Sequence, residues 1–223
     1  MESFHGEINP ADAPVTRSMP TQNFQVLEAM LFASILDTHR DQLLERLRGV
    51  CDPHSTYFDE HELVCGLRTT ESANMQLHLR RRLDTGIDVP NNVWHCRYIG
   101  PPQSEKLPAI CRSAIDSLVY CPEMMDFIKN MGLRMEYEYV ARGFFFTKGP
   151  IRIMVYKILV PETAGKYNKD ALKPQMESHL VEAIIPVENE DTNKYAKILK
   201  DFCDQLAPLV EFKKIEYFKP KTS

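Results

Sequence analysis

Three stretches of the chain bring residues capable of chemistry close together. His61-Glu62-Leu63-Val64-Cys65 begins like the zinc motif H-E-x-x-H, in which two histidines on one helical face grip the metal and the glutamate acts as base. Here the fifth residue is cysteine. Leu63 and Cys65 also alternate as in a strand, which sends the first and fifth side chains to places a zinc helix does not use. A solvated strand edge accounts for the match. Arg80, Arg81 and Arg82 form the densest basic cluster, but in a strand Arg81 points away from its two neighbours. The run is therefore a split pair on a solvated or partner-facing surface, not a nucleic-acid patch, and the basic tail with Lys213, Lys214, Lys219 and Lys221 reads the same way. Glu136, Glu138 and Arg142 fall on one face of a strand, where paired carboxylates could hold a metal with Glu182 as a conjectural third acid. A charged outer face explains them better. No G-x-S-x-G, phosphate-binding loop, G-x-G-x-x-G or full H-E-x-x-H occurs, so the motifs make no case for catalysis, metal or cofactor.

The elements that would position these residues are organised around 122–160. Pro122 and Gly132 bracket a short helix with Met124, Met125, Ile128 and Met131 on one stripe. From Leu133 the period changes to two, and a long strand begins. At Gly143 the alternation breaks into Phe144, Phe145 and Phe146, which predicts a bulge or bend. A turn at 147–150 leads into IRIMVYKILV, rich in β-branched and aromatic residues and apolar on both faces except at Arg152 and Lys157. Both strands read as covered on two sides, as in a barrel.

Elsewhere, Phe24 to Ile35 reads as a central strand with Glu28 its only charge, and Thr38 as the cap of a helix with Leu43, Leu44, Leu47 and Val50 on one face. Strands are predicted over 63–68, 75–83, 93–99 and 180–187, with a possible last one over 209–218. Residues 110–120 fit a strand and a helix about equally. Tyr195, Ile198, Leu199, Phe202 and Leu206 mark an amphipathic helix stopped by Pro208. The sum is a mainly β domain with a closed or nearly closed barrel.

At 223 residues and 43% hydrophobic content the chain has enough material for one good core. The expected organisation is a disordered leader over 1–20, one barrel domain over 21–218 with a mobile loop at 162–176, and a tail over 219–223. A net charge of -4 and a pI near 6.0 give no reason to expect nucleic acid or an anionic membrane as partner. No apolar run approaches the ~18 residues of a membrane span. Cys51, Cys65, Cys96, Cys111, Cys121 and Cys203 are scattered, which suits reduced core thiols in an intracellular, soluble protein.

The runs RLRGVCD at 46–52, FDEHEL at 58–63, WHCRYIGPP at 94–102 and DFIKNMGLRMEYEYVARGFFFTKGPIRIMVYKILVP at 126–161 resemble the Mediator subunit 18 family. Members of that family are head-module subunits of the RNA polymerase II coactivator. The likeness runs from about residue 24 to 215, with the first 20 residues and 162–176 outside it. It implies an antiparallel barrel of about eight strands with a few flanking helices, similar to the triphosphate tunnel barrel, and makes 110–120 a strand. It also implies a nuclear, non-catalytic adaptor that regulates transcription without touching nucleic acid. The implied partners are Mediator subunit 20, a second barrel, and the C-terminal helix of Mediator subunit 8, with other head subunits and RNA polymerase II reached indirectly. Consecutive phenylalanines face both sides of a strand, so Phe144, Phe146, Ile151 and Ile153 are the expected anchors for the barrel partner.

The similarity to tunnel barrels carries a rival, a metal-dependent triphosphatase. Such enzymes line the tunnel with an E-x-E-x-K strand, whereas Glu28 stands alone in its strand and Glu136 and Glu138 are followed by Val140 where lysine belongs. The fold without the activity is the expectation.

Overall fold

Strands whose two faces are both apolar need cover on both sides, and this chain supplies it by closing a sheet into a ring and packing helices around it. The structure, a computed structural model, describes residues 25–67, 75–83, 93–104, 106–188 and 191–215. The expected leader over 1–20 and tail over 219–223 lie outside the described residues.

In chain order the elements are β1 (Gln25–Leu36), α1 (Arg40–Val50), β2 (Thr56–Leu67), β3 (Met75–Arg82), β4 (Val93–Pro102) and β5 (Ile110–Tyr120). There follow α2 (Met124–Asn130), β6 (Arg134–Lys148), β7 (Ile151–Pro161), β8 (Leu172–Pro174), β9 (Ser178–Val187) and α3 (Thr192–Asp204). The strands pair antiparallel in the order β6-β2-β3-β4-β5-β1-β9-β7, and β7 pairs back onto β6 to close an eight-stranded barrel. The ninth strand, β8, pairs with the far end of β7, where Leu172 meets Pro161. It lies within the expected loop 162–176, which also contains a 3-10 turn at Lys169–Ala171.

Two helices cover one side of the ring. Leu43, Leu44 and Leu47 of α1, with Leu199, Phe202 and Cys203 of α3, pack on Leu31, Ile153, Val155, Val181 and Ile185 of the strands. On the opposite side Met124 and Ile128 of α2 cover Leu63, Leu79, Trp94 and Cys96. The short α2 ends as Gly132 predicts: at φ 76° its N–H bonds to the Lys129 carbonyl, and the Leu133 N–H bonds to Ile128. Met125 and Met131, expected on its buried stripe, are exposed. Helix α3 is capped by Asp191, whose carboxylate accepts from the Lys194 N–H at 3.2 Å.

Several local expectations are corrected. Thr38 does not cap α1: it lies in a 3-10 turn, its hydroxyl 3.1 Å from the His39 ring, and α1 starts beyond it without a side-chain cap. Gly143 marks no bulge, since β6 pairs with β7 without a break from Val140 to Lys148. It is glycine because a Cβ there would sit 2.1 Å from the Val155 carbonyl oxygen and 2.6 Å from the Tyr156 Cα. The bulge in β6 falls at Glu136 instead, between Val64 paired with Tyr137 and Cys65 paired with Met135. The last expected strand is reduced, among the described residues, to one bridge between Lys213 and Phe32. All six cysteines are free thiols. No helix among the described residues is long and apolar enough to cross a membrane.

Candidate functional site

Alternation along each strand gives the wall two faces, and the inner face is charged. A bore of about 250 Å³ runs into the barrel, lined by Arg80 of β3, Arg97 of β4, Arg112 of β5 and Arg152 of β7. His78, His95, Glu62 and Glu182 also face it. Its apolar lining is Met30, Phe32, Met154 and Ile184, which cluster with the buried Ile110. Nearly every wall strand contributes a charge at the middle of an otherwise apolar or mixed run. Glu28 stands alone in its own strand, and its partners lie on β4 and β7.

Glu28 is 2% exposed and is gripped from two directions. Arg152 donates to its Oε1 at 2.5 Å, and Arg97 donates to its Oε2 while also holding Asp116 at 2.9 Å. Glu62 accepts from Arg80 Nε at 2.6 Å and lies 2.5 Å from the His78 ring. Burial alone would raise the Glu62 carboxyl, but the Arg80 guanidinium and the His78 hydrogen bond outweigh it and bring it down to about 2. Glu182 goes the other way: burial pushes its carboxyl up despite the nearby Arg80. Burial likewise pushes the Tyr139 and Tyr156 phenols up, with Glu62 or Glu182 close by.

The motif His61-Glu62-Leu63-Val64-Cys65 is divided by this wall. Glu62 faces the bore, while His61 lies on the outer side, 2.9 Å from Glu138 and in the same cluster as Tyr167, whose hydroxyl donates to Glu138 at 2.8 Å. Arg81 donates to His61 Nδ1 at 3.3 Å, so the imidazole proton sits on Nε2 and points to Glu138. Burial and Arg81 both push the His61 pKa down, keeping the ring neutral. Arg81 also stacks over Trp94, 4.8 Å from the ring centroid. Arg81 does point away from Arg80, as expected, but Arg80 faces the bore and not a solvated surface. Glu136 and Glu138 are separated by the bulge: Gln76 donates to Glu136 at 2.7 Å, while Glu138 faces His61. They cannot share a metal, and among the described residues no group of three or more His, Cys, Asp or Glu is placed to hold one.

Of the four expected partner anchors, three are buried within this chain and one is half-buried. Phe146 is 1% exposed, and with Ile151 and Ile153 it lies inside the core under α1 and α3. Phe144 is half-buried, its ring edge-on to Tyr57 at 5.6 Å. Large apolar side chains are exposed elsewhere, among them Leu118 at 76% and Tyr120 at 67% on the end of β5, Met125 and Phe127 on α2, and Met131 at its C-terminal cap. Beyond Asp116 that end of β5 pairs only with β4 among the described residues.

A family model described as Med18 protein matches residues 27–219. The chain belongs to the Mediator subunit 18 family. Among its relatives, "Mediator of RNA polymerase II transcription subunit 18" of Caenorhabditis elegans is 38% identical over 206 residues, covering 91% of this chain and 88% of that one. The Xenopus tropicalis protein of the same name is 34% identical, covering 92% and 97%. A chain in the structure of the Schizosaccharomyces pombe Mediator head module superposes with a TM-score of 0.66 at 15% identity, over 85% of this chain and 98% of that one. A Pyrococcus horikoshii protein superposes at 0.57 and 14% identity over 85% and 95%. At such identities the superpositions establish the barrel fold for this family member and nothing about its ligands.

Proposed function

We propose that the chain is a non-catalytic, nuclear head-module subunit of Mediator that works by binding. It pairs with Mediator subunit 20 and receives the C-terminal helix of Mediator subunit 8, and through them it regulates transcription by RNA polymerase II. The observation that carries this reading is the family match over residues 27–219, together with relatives named as Mediator subunits at up to 38% identity. The bore supports it, because the glutamates that could hold a metal, Glu28 and Glu62, are each bound to arginine. With Phe146, Ile151 and Ile153 buried, the contact surface for the barrel partner moves to Leu118 and Tyr120, large exposed side chains at the open end of β5.

Co-expression with subunits 20 and 8, followed by size-exclusion chromatography with light scattering, tests the reading. The expected mass is that of a 1:1:1 complex. A chain that stays monomeric beside both partners would overturn it. The paired variant Leu118→Asp and Tyr120→Asp is expected to fold as a monomer and to lose subunit 20; retention of the full complex would move the interface elsewhere.

A further inference from the structure

On the outer wall, His61 has its two ring nitrogens committed to groups of opposite charge. Arg81 lies directly across from it in the β2–β3 register and donates its Nε–H to Nδ1 at 3.3 Å. The other nitrogen points to Glu138 of β6 at 2.9 Å. Arg81 joins three elements at this point, because its guanidinium also lies 4.8 Å from the ring centroid of Trp94 on β4 and 5.6 Å from that of Tyr167. Tyr167 brings the loop 162–171 to the wall, with its ring 4.1 Å from the imidazole and its hydroxyl on Glu138. The two ends of that loop are tied by a bond from the Glu162 N–H to the Ala171 carbonyl at 2.9 Å.

The arrangement holds only while Nδ1 has a lone pair to offer. A proton on that nitrogen makes it a second donor, so N–H would face N–H and two cations would meet at hydrogen-bond distance. One of them has to move. Arg81 is half-buried on a long flexible stem and can turn to water, whereas His61 is 1% exposed beneath the Tyr167 ring and cannot. The charged groups around the imidazole are Arg81 from β3, Glu138 from β6 and, in β2 itself, Glu62 on the bore side; β4 and the loop face it with the rings of Trp94 and Tyr167. Burial favours the neutral ring most, and Arg81 acts in the same direction against Glu138 and Glu62.

We propose that His61 is a proton-operated clip: the neutral ring holds Arg81 over Trp94 and Tyr167, and the imidazolium releases Arg81 to solvent while keeping Glu138. Release breaks the side-chain bridge from β3 to Trp94 and to the loop 162–171, and it leaves a free cation on the outer wall beside α2, which packs on Trp94.

Trp94 is the single tryptophan of the chain, and its ring centroid lies 6.1 Å from that of His61, so its emission reports on this cluster. An imidazolium beside an indole quenches its fluorescence far more than a neutral imidazole does. The test is a fluorescence titration of the full-length protein from about pH 8 to about pH 5, with circular dichroism recorded on the same samples. A reversible fall in emission is expected, with a midpoint below the ordinary 6.5 and an unchanged dichroism spectrum. Arg81→Met removes the opposing cation and should raise the midpoint by ~1 pH unit. His61→Gln, whose amide can still accept from Arg81 and donate to Glu138, should abolish the fall. Nitrogen NMR reads the release itself, since the Arg81 Nε resonance should move with the same midpoint. Flat emission, a fall that survives in His61→Gln, or one that coincides with loss of the dichroism signal would overturn the clip. An Arg81 resonance that stays put across the transition, or an unshifted midpoint in Arg81→Met, would show that the two side chains are not coupled and would overturn it equally.

Discussion

The two faces of the barrel wall are built on opposite principles from the same strands. In β7, Ile151, Ile153 and Val155 point outward into an apolar layer under α1 and α3, while Arg152 and Met154 point into the bore. The outer layer is held by burial, which is additive and tolerant of direction. The inner one is held by paired charges, in which each partner is costly to remove alone. The outer layer thus sets how stable the barrel is, and the bore sets how specific it is.

The largest effect that would sharpen the comparison is a cavity in the outer layer. Phe146→Ala is expected to cost about 4 kcal/mol in urea unfolding, because the site is closed on every side. A loss under ~1 kcal/mol would show that this layer is looser than its burial indicates. In the bore, Arg97→Met strands Glu28 with one cation fewer and is expected to cost about 3 kcal/mol. The joint replacement Arg97→Met with Glu28→Met should recover most of that, and a double-mutant cycle measures the difference. Equal losses for single and joint variants would make the inner face another apolar core in energetic terms.

Acid tests the same network without mutation. The Glu62 carboxyl ionises at about 2 in the folded chain against an ordinary 4.5, so its contribution is fully present above pH 4.5 and is lost as pH falls toward 2. The shift corresponds to about 3 kcal/mol, less where water enters the bore. Melting temperatures measured from pH 6 downward should fall steeply in this window, and Glu62→Gln should flatten the fall. The smallest expected effect has the opposite sign. Because burial raises the Glu182 carboxyl, the neutral isostere Glu182→Gln should be more stable than wild type at pH 7 and indistinguishable from it at low pH. A destabilised Glu182→Gln would mean that the ionised carboxylate is an essential partner of Arg80.

Much of this architecture is legible in local pattern. The two-sided apolar character of β1 required two covers, and Gly132 placed the end of α2 because its positive φ is a local demand. Residues 110–120 could be assigned only by family resemblance, since their spacing satisfies both periods. Gly143 was open to misreading because what excludes a side chain there is the backbone of β7, which is remote in sequence. Phe146, Ile151 and Ile153 look like anchors until α1 and α3 are known to lie over them. The bore was hidden for a related reason. A single arginine or glutamate inside an apolar strand looks like an isolated surface charge, and only cross-strand register shows Glu28, Arg97 and Arg152 to be neighbours. The usable signal is repetition: Glu28, Arg97, Arg112, Arg152 and Glu182 each interrupt a different strand, and Glu62 and Arg80 share its period within more polar ones.

That repetition bears on how the ring assembles. A strand that slipped by one residue while zipping to its neighbour would drive its charge into the greasy shell and turn an aliphatic side chain toward the bore. Each such error would bury an unmatched charge at a cost of several kcal/mol, far more than a misplaced valine. The charges are thus spaced like the teeth of a key around the circumference, rejecting misthreaded barrels as the sequence-distant pairs, β1 with β9 and β2 with β6, close the ring.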